Sequence, residues 1–470
     1  MHSAMLIAIF LTLIFPFCDL TSFDATLPPS PTGFGNDVTC ESFAENFVNE
    51  GIIVVNIQYR VAALGFLTLG CSDPRIPCNI GLWDMLTAFQ FVNRTISDFG
   101  GNAQDMTAWG HSAGAMAVGL HSMSPISSKF FNNFIAMSAS AWPVSRYRHQ
   151  NWVQSRKILQ GLKCNLSDTD SNSIFECVNG TSLDDLYTAQ IDTHLWPEFG
   201  DALLPDIPEK MVRENTKNQR LLTGLMTLES LYFTYLKSSP EIFPFIHRDT
   251  VEEYINSSFA VQYGIDSIGA YTALLDYYLA SNVSDSAFPY FMRQRTKIDS
   301  NTGFDIPVLR EVNARLSESP FVYLYYFPYF NPAQFDANFP VKATYHCHEF
   351  PYVWGLYKDN FYELNDEDEK VAKFLQNALV NFIKTGNPSS GNFTWPPADA
   401  SMTHTVIQPE PTIGKDLFKS DYDFWDSMAK KFQLDIITGL PAATIETTTK
   451  NYTTHKSVLL LAIIISLIIA

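Results

Sequence analysis

The pentapeptide Gly110-His111-Ser112-Ala113-Gly114 constrains this chain more than any other feature of its sequence. It lies between a strand-forming run, Met106 to Trp109, and a helix-forming run, Ala115 to Leu120. In that setting G-x-S-x-G is a sharp strand-to-helix turn. The small residues permit the tight backbone, and the serine Oγ is presented at the helix N-terminus. The amide of the next residue, Ala113, is then free to donate to an oxyanion.

The surrounding segments follow the same grammar. Gly51 to Arg60 (GIIVVNIQYR) opens with the β-branched run Ile52 to Val55, whose continuous apolarity suits a parallel strand buried on both faces. Leu82, Met85, Leu86, Phe89, Val92 and Ile96 recur at three- and four-residue steps, which predicts an amphipathic helix stopped by Gly100 and Gly101. Phe321 to Phe327 reads as a further buried strand, and Val371 to Ile383 as a helix ended by the turn KTGNP. Strand, helix, strand, turn, helix predicts an α/β fold with a mostly parallel central sheet flanked by helices. The stretch from Trp142 to Arg310 has helical patterning with aromatic clusters, but its topology does not follow from pattern.

Several blocks in fixed order resemble the type B carboxylesterase family, which includes the cholinesterases. They are NIQYRVAALGFL (56–67), NIGLWDMLTAFQFVNRTISDFGGN (79–102), the GHSAG turn, YHCHEFPYVWG (345–355) and NFIKTGNP (381–388), with Trp395-Pro396 beyond. The resemblance covers residues 33–432 and implies an α/β-hydrolase domain. It implies Ser112 as nucleophile, and His346, the first histidine of His346-Cys347-His348-Glu349, as general base. Glu229 in LLTGLMTLESLYF is implied as the acid that orients the base. Glu214 and Asp201 are alternative acids without that context. His348, two residues beyond His346, faces the other way on an extended segment and is expected to be structural. Cys347 stands where the family usually carries a small residue and reads as a buried hydrophobe. His111 stands where the family usually carries Glu.

The N-terminal region departs from the family. The glycine loop that supplies most oxyanion donors corresponds here to Ser30-Pro31-Thr32-Gly33-Phe34, so Gly33 is the one candidate donor there besides Ala113, and Pro31 has no amide hydrogen. The early strands of the domain are expected to be missing. Residues 1–20 read instead as a signal peptide, because Met5 to Phe17 is uninterrupted apolar sequence followed by Cys18 and Asp19. Residues 436–457 read as a Thr-rich linker and 458–470 as a hydrophobic tail, a GPI-attachment signal or membrane anchor.

The remaining features suit an extracellular or cell-surface protein. Seven Asn-x-Ser/Thr sequons occur; Asn165, Asn179, Asn256, Asn282 and Asn392 are the candidate glycosylation sites, Asn93 lies beside an apolar helix stripe, and Asn451 lies in the linker. Cys164 and Cys177 flank a short polar loop and are expected to form a disulfide; Cys71 and Cys78 are a second pair, and Cys40 has no assigned partner. No Cys/His spacing of zinc-site type occurs, and neither a metal nor an organic cofactor is expected. With 31 Lys+Arg against 49 Asp+Glu, the net charge of −18 argues against nucleic acid as a partner. The expected activity is hydrolysis of a small-molecule carboxylic ester through an acyl-serine intermediate. The alternatives are a noncatalytic adhesion or binding protein of the same fold, and an inactive truncated esterase.

Overall fold

The computed structural model describes residues 5–11, 46–72, 76–148, 150–166, 171–236, 238–354 and 364–442. Eight strands form one sheet in the order β2-β1-β3-β4-β5-β6-β7-β8. They are β1 (Met5–Leu11), β2 (Ile52–Asn56), β3 (Gly101–His111), β4 (Asn133–Met137), β5 (Arg220–Met226), β6 (Val322–Phe327), β7 (His404–Val406) and β8 (Thr412–Gly414). Every pairing is parallel except β7 with β8.

Successive strand residues point to opposite faces, and the central strands divide accordingly. Ala108 of β3, Phe134 of β4, Leu221 of β5 and Leu324 of β6 enter one core. There they meet α1 (Ile80–Thr95), α2 (Ala113–Met123) and α3 (Ile306–Arg315). Trp109, Ile135, Leu222 and Tyr323, each adjacent in sequence to one of those residues, enter the core on the other face with α4 (Asp366–Thr385). Both faces are covered, which is why these strands read as continuous apolar runs. The helix expected over Leu82–Ile96 is α1, and it buries Leu82, Met85, Leu86, Phe89 and Val92. The αL residue Gly386 ends α4 at the turn predicted there.

At both ends the structure places residues that bear on the expected boundaries. The run assigned to the leader supplies β1, which pairs with β2 (Ile7 opposite Ile53) and with β3 (Phe10 opposite Trp109). One of the strands expected to be missing is therefore present. A leader's apolar region and a strand buried on both faces carry the same local signal, and periodicity does not separate them. At the other end, the folded part does not stop at residue 432. Leu434–Asp435 and Leu440–Pro441 form a small antiparallel ladder, and Ile436 and Ile437 are buried against a satellite core that contains Trp425 of α5 (Lys419–Phe432). Residues 436–442 thus pack with the domain, and residues 443–457 lie outside the described residues.

The helical middle contributes that satellite core. Helices Arg248–Ser258, Ser267–Tyr278 and Phe288–Ser300 bury Ile255, Leu274 and Phe291 in it. Cys164–Cys177 and Cys71–Cys78 both form disulfides. By chain entropy, the 13-residue closure is worth about 3 kcal/mol. Among the described residues, no helix is long and apolar enough to cross a membrane. Gly33, Cys40, Asn451 and the C-terminal tail lie outside the described residues.

Candidate active site

Ligand sites in open α/β sheets lie at the carboxyl ends of the strands, where loops converge. Ser112, Glu229 and His346 all collect at that edge. β3 ends at His111, and Ser112 caps α2 with φ 57° and ψ −123°, a conformation outside the ordinary regions for an L-residue. Such a backbone costs on the order of 1–3 kcal/mol and persists only where its surroundings enforce it. Two contacts do so. The Ser112 amide donates to the Met137 carbonyl at 3.0 Å. Gly110 packs so tightly against the Gly114 carbonyl that a Cβ at Gly110 would lie 2.2 Å from it. Ala113 opens α2, where the first amides have no intrahelical acceptor.

The acid and base come from the neighbouring strand ends. After β5, the Leu228 amide donates to the Thr344 carbonyl at 2.9 Å, and the His346 amide donates to the Glu229 carbonyl at 3.1 Å. These bonds bring side chains 117 residues apart into contact. Glu229 Oε2 lies 2.9 Å from His346 Nδ1, and Glu229 Oε1 accepts the Met226 amide at 2.9 Å. Both side chains are buried, Glu229 completely. With Nδ1 engaged by the carboxylate, the imidazole is held in one orientation. Its Nε2 is buried with no hydrogen-bond partner, and no hydrogen bond joins it to Ser112 Oγ in this structure. Serine–histidine bonds in sites without substrate are commonly long and tighten only on binding.

Of the alternative acids, Asp201 is occupied elsewhere: it accepts from Asn79 Nδ2 at 3.1 Å and from Trp83 Nε1 at 3.0 Å. His348 faces away from the site, as its spacing implies. It is buried beside Tyr345, Phe335 and Tyr352, and burial pushes its pKa down to about 3, so it is a neutral packing element. Cys347 is buried at φ 71°, the left-handed region.

Several neighbours were not singled out from sequence. The rings of Phe233 and Phe304 stand 5.1 and 5.0 Å from that of His346 and give the base an aromatic wall. Neither carries a local signal, since each is one phenylalanine among 36. Glu349, the last residue of the histidine motif, sits behind the nucleophile turn. It accepts from Ser138 Oγ at 3.4 Å and lies 3.6 Å from His111 Nε2. Burial, followed by the nearby Glu229 charge, raises its pKa well above the usual carboxylate range. Burial likewise drives the His111 pKa well down, with the neighbouring His346 adding to the effect. The His111 and His346 ring centroids are 4.6 Å apart. With Cys347 these two histidines bring three ligand-type atoms within 4.8 Å of one another, the one such cluster among the described residues.

Comparison with known proteins agrees with this architecture. Residues 31–425 match the model of the carboxylesterase family. The chain is 27% identical over 434 residues to Gut esterase 1 of Caenorhabditis briggsae, covering 86% of this chain and 76% of the relative. It is 26% identical to Gut esterase 1 of Caenorhabditis elegans, covering 84% and 75%. Among solved structures, a PNB esterase superposes with a TM-score of 0.65 at 21% identity, covering 89% of this chain and 81% of that one.

Proposed function

Because the chain belongs to the carboxylesterase family, we propose that it hydrolyses small-molecule carboxylic esters through an acyl-Ser112 intermediate. The observation that carries the reading is the buried 2.9 Å contact between Glu229 and His346 Nδ1, which leaves Nε2 as the nitrogen available to the serine. His346 Nε2 takes the Ser112 proton as Oγ attacks the ester carbonyl. Glu229 holds the tautomer and stabilises the imidazolium that forms. The Ala113 amide donates to the oxyanion, with Gly33 as the second candidate donor. The imidazolium returns its proton to the leaving alkoxide, and the same groups then activate water to release the acid.

The test compares p-nitrophenyl acetate turnover and organophosphonate labelling in the wild type and Ser112→Ala. The wild type alone is expected to turn over and label; equal behaviour of the two proteins would overturn the assignment.

The reading extends to location. Asn165, Asn179, Asn256, Asn282 and Asn392 are all exposed and suited to carry glycans, whereas Asn93 is half-buried and donates its amide to the Ala103 carbonyl at 3.2 Å. Together with the two disulfides, this supports a secretory, extracellular or surface-tethered protein. N-terminal sequencing of the secreted protein decides between the two uses of the first apolar run, since cleavage near residue 20 removes β1. Release by phosphatidylinositol-specific phospholipase tests a GPI anchor at the C-terminus; retention on the membrane counts against it.

A further inference from the structure

We propose that His111, His346 and Cys347 form a site for a soft divalent cation of the zinc type, whose occupancy arrests the esterase. Their sequence spacing conceals the site, because His111 ends β3 while the other two residues lie 235 and 236 positions later. The fold brings the three ligand atoms within 4.8 Å of one another. Zinc bonds of about 2.0–2.3 Å place tetrahedral ligands roughly 3.3–3.7 Å apart, so small side-chain rotations close the site.

Three further observations point to a ligand. His346 Nε2 is buried without a hydrogen-bond partner. Each imidazole has a carboxylate on its other side. Glu229 faces His346 Nδ1 at 2.9 Å, and Glu349 lies 3.6 Å from His111 Nε2, leaving His111 Nδ1 toward Cys347 Sγ at 4.0 Å. A carboxylate hydrogen-bonded behind a ligating histidine, as Glu229 is behind His346, is the arrangement that orients imidazoles on metals. Cys347, finally, holds the left-handed φ of 71° that an L-residue adopts only at a cost. On binding, Cys347 releases its thiol proton to solvent and bonds as thiolate, while the neutral histidines give lone pairs and lose no proton. His346 Nε2 is then occupied and unable to accept the serine proton. The arrest, though not the binding, rests on His346 being the catalytic base.

Two measurements on the full chain test this. Cobalt(II) titrated into Ser112→Ala protein is expected to give a thiolate-to-cobalt charge-transfer band that saturates at one equivalent. Cys347→Gly, which relaxes the backbone, is expected to abolish the band, and His111→Gln to weaken binding. No band, or an unchanged band in Cys347→Gly, overturns the site. Zinc is expected to inhibit p-nitrophenyl acetate hydrolysis reversibly, with EDTA restoring it. In Cys347→Gly the half-inhibiting zinc concentration, read against that protein's own zinc-free rate, is expected to rise more than about tenfold. Equal zinc sensitivity of the two proteins overturns the proposal. A cobalt band in a chain without esterase activity upholds the metal site and refutes the catalytic reading instead.

Discussion

The two halves of the active site rest on different physics. The nucleophile half is held by shape. Ser112 keeps its unusual backbone because Gly110 lies against the Gly114 carbonyl with no room for a Cβ, and its side chain makes no capping hydrogen bond to α2. The acid–base half is held by directed hydrogen bonds. Residues 227–229 are stitched to 344–346 by backbone and hydroxyl contacts, and the Glu229–His346 pair lies at the end of that seam. A site divided in this way fails in two ways: by added volume on one side, and by altered charge or bonding on the other.

Substitutions that delete chemistry are expected to have the largest effect. Ser112→Ala or His346→Ala should lower kcat by about 10⁶-fold with an unchanged circular dichroism spectrum. Glu229→Gln should cost about 10⁴-fold by disturbing the tautomer. Glu349→Gln gives the sharper comparison, because Glu349 is equally buried one strand-end away but bonds to Ser138 and not to His346. Its turnover loss should be far smaller than that of Glu229→Gln, and equal losses would break the division of roles. On the side held by shape, Gly110→Ala should destabilise the fold by on the order of 3 kcal/mol, read as a lowered urea midpoint and a fall in active protein. A stable, active Gly110→Ala protein would show that the turn is not enforced by volume.

The smallest expected effect concerns His348. Its folded pKa is depressed to about 3 from the ordinary 6.5, so below pH 6.5 the unfolded chain takes up a proton that the folded chain refuses. Stability from this group is therefore complete above pH 6.5 and is lost progressively as pH falls toward 3. His348→Gln should flatten that part of the urea-midpoint profile and leave the acid–base pair working.

How much of the fold and site is legible in the sequence depends on the range of each interaction. The turn at Ser112, the strands β2, β3 and β6 and the helices α1 and α4 are written in local steric preference and periodicity. Glu229 is within reach because a glycine-containing strand precedes it. That strand needs Gly224, where a Cβ would meet the Tyr325 ring at 2.2 Å. Phe233 and Phe304 carry no comparable signal, because their place beside His346 comes from packing between distant segments; Glu349 is marked as the end of the histidine motif, but its place beside His111 is not.

Met5–Leu11 marks the limit most clearly. Seven apolar residues suit a leader and a parallel strand equally well, and in the structure they pair between β2 and β3. By itself, then, the sequence determined which segments are strand or helix and which serine is presented, because backbone sterics and hydrophobic period act over a few residues. The tertiary structure alone decided which carboxylate His346 meets and what surrounds His111. Those outcomes depend on contacts between residues distant in the chain, which become favourable only once the sheet has assembled.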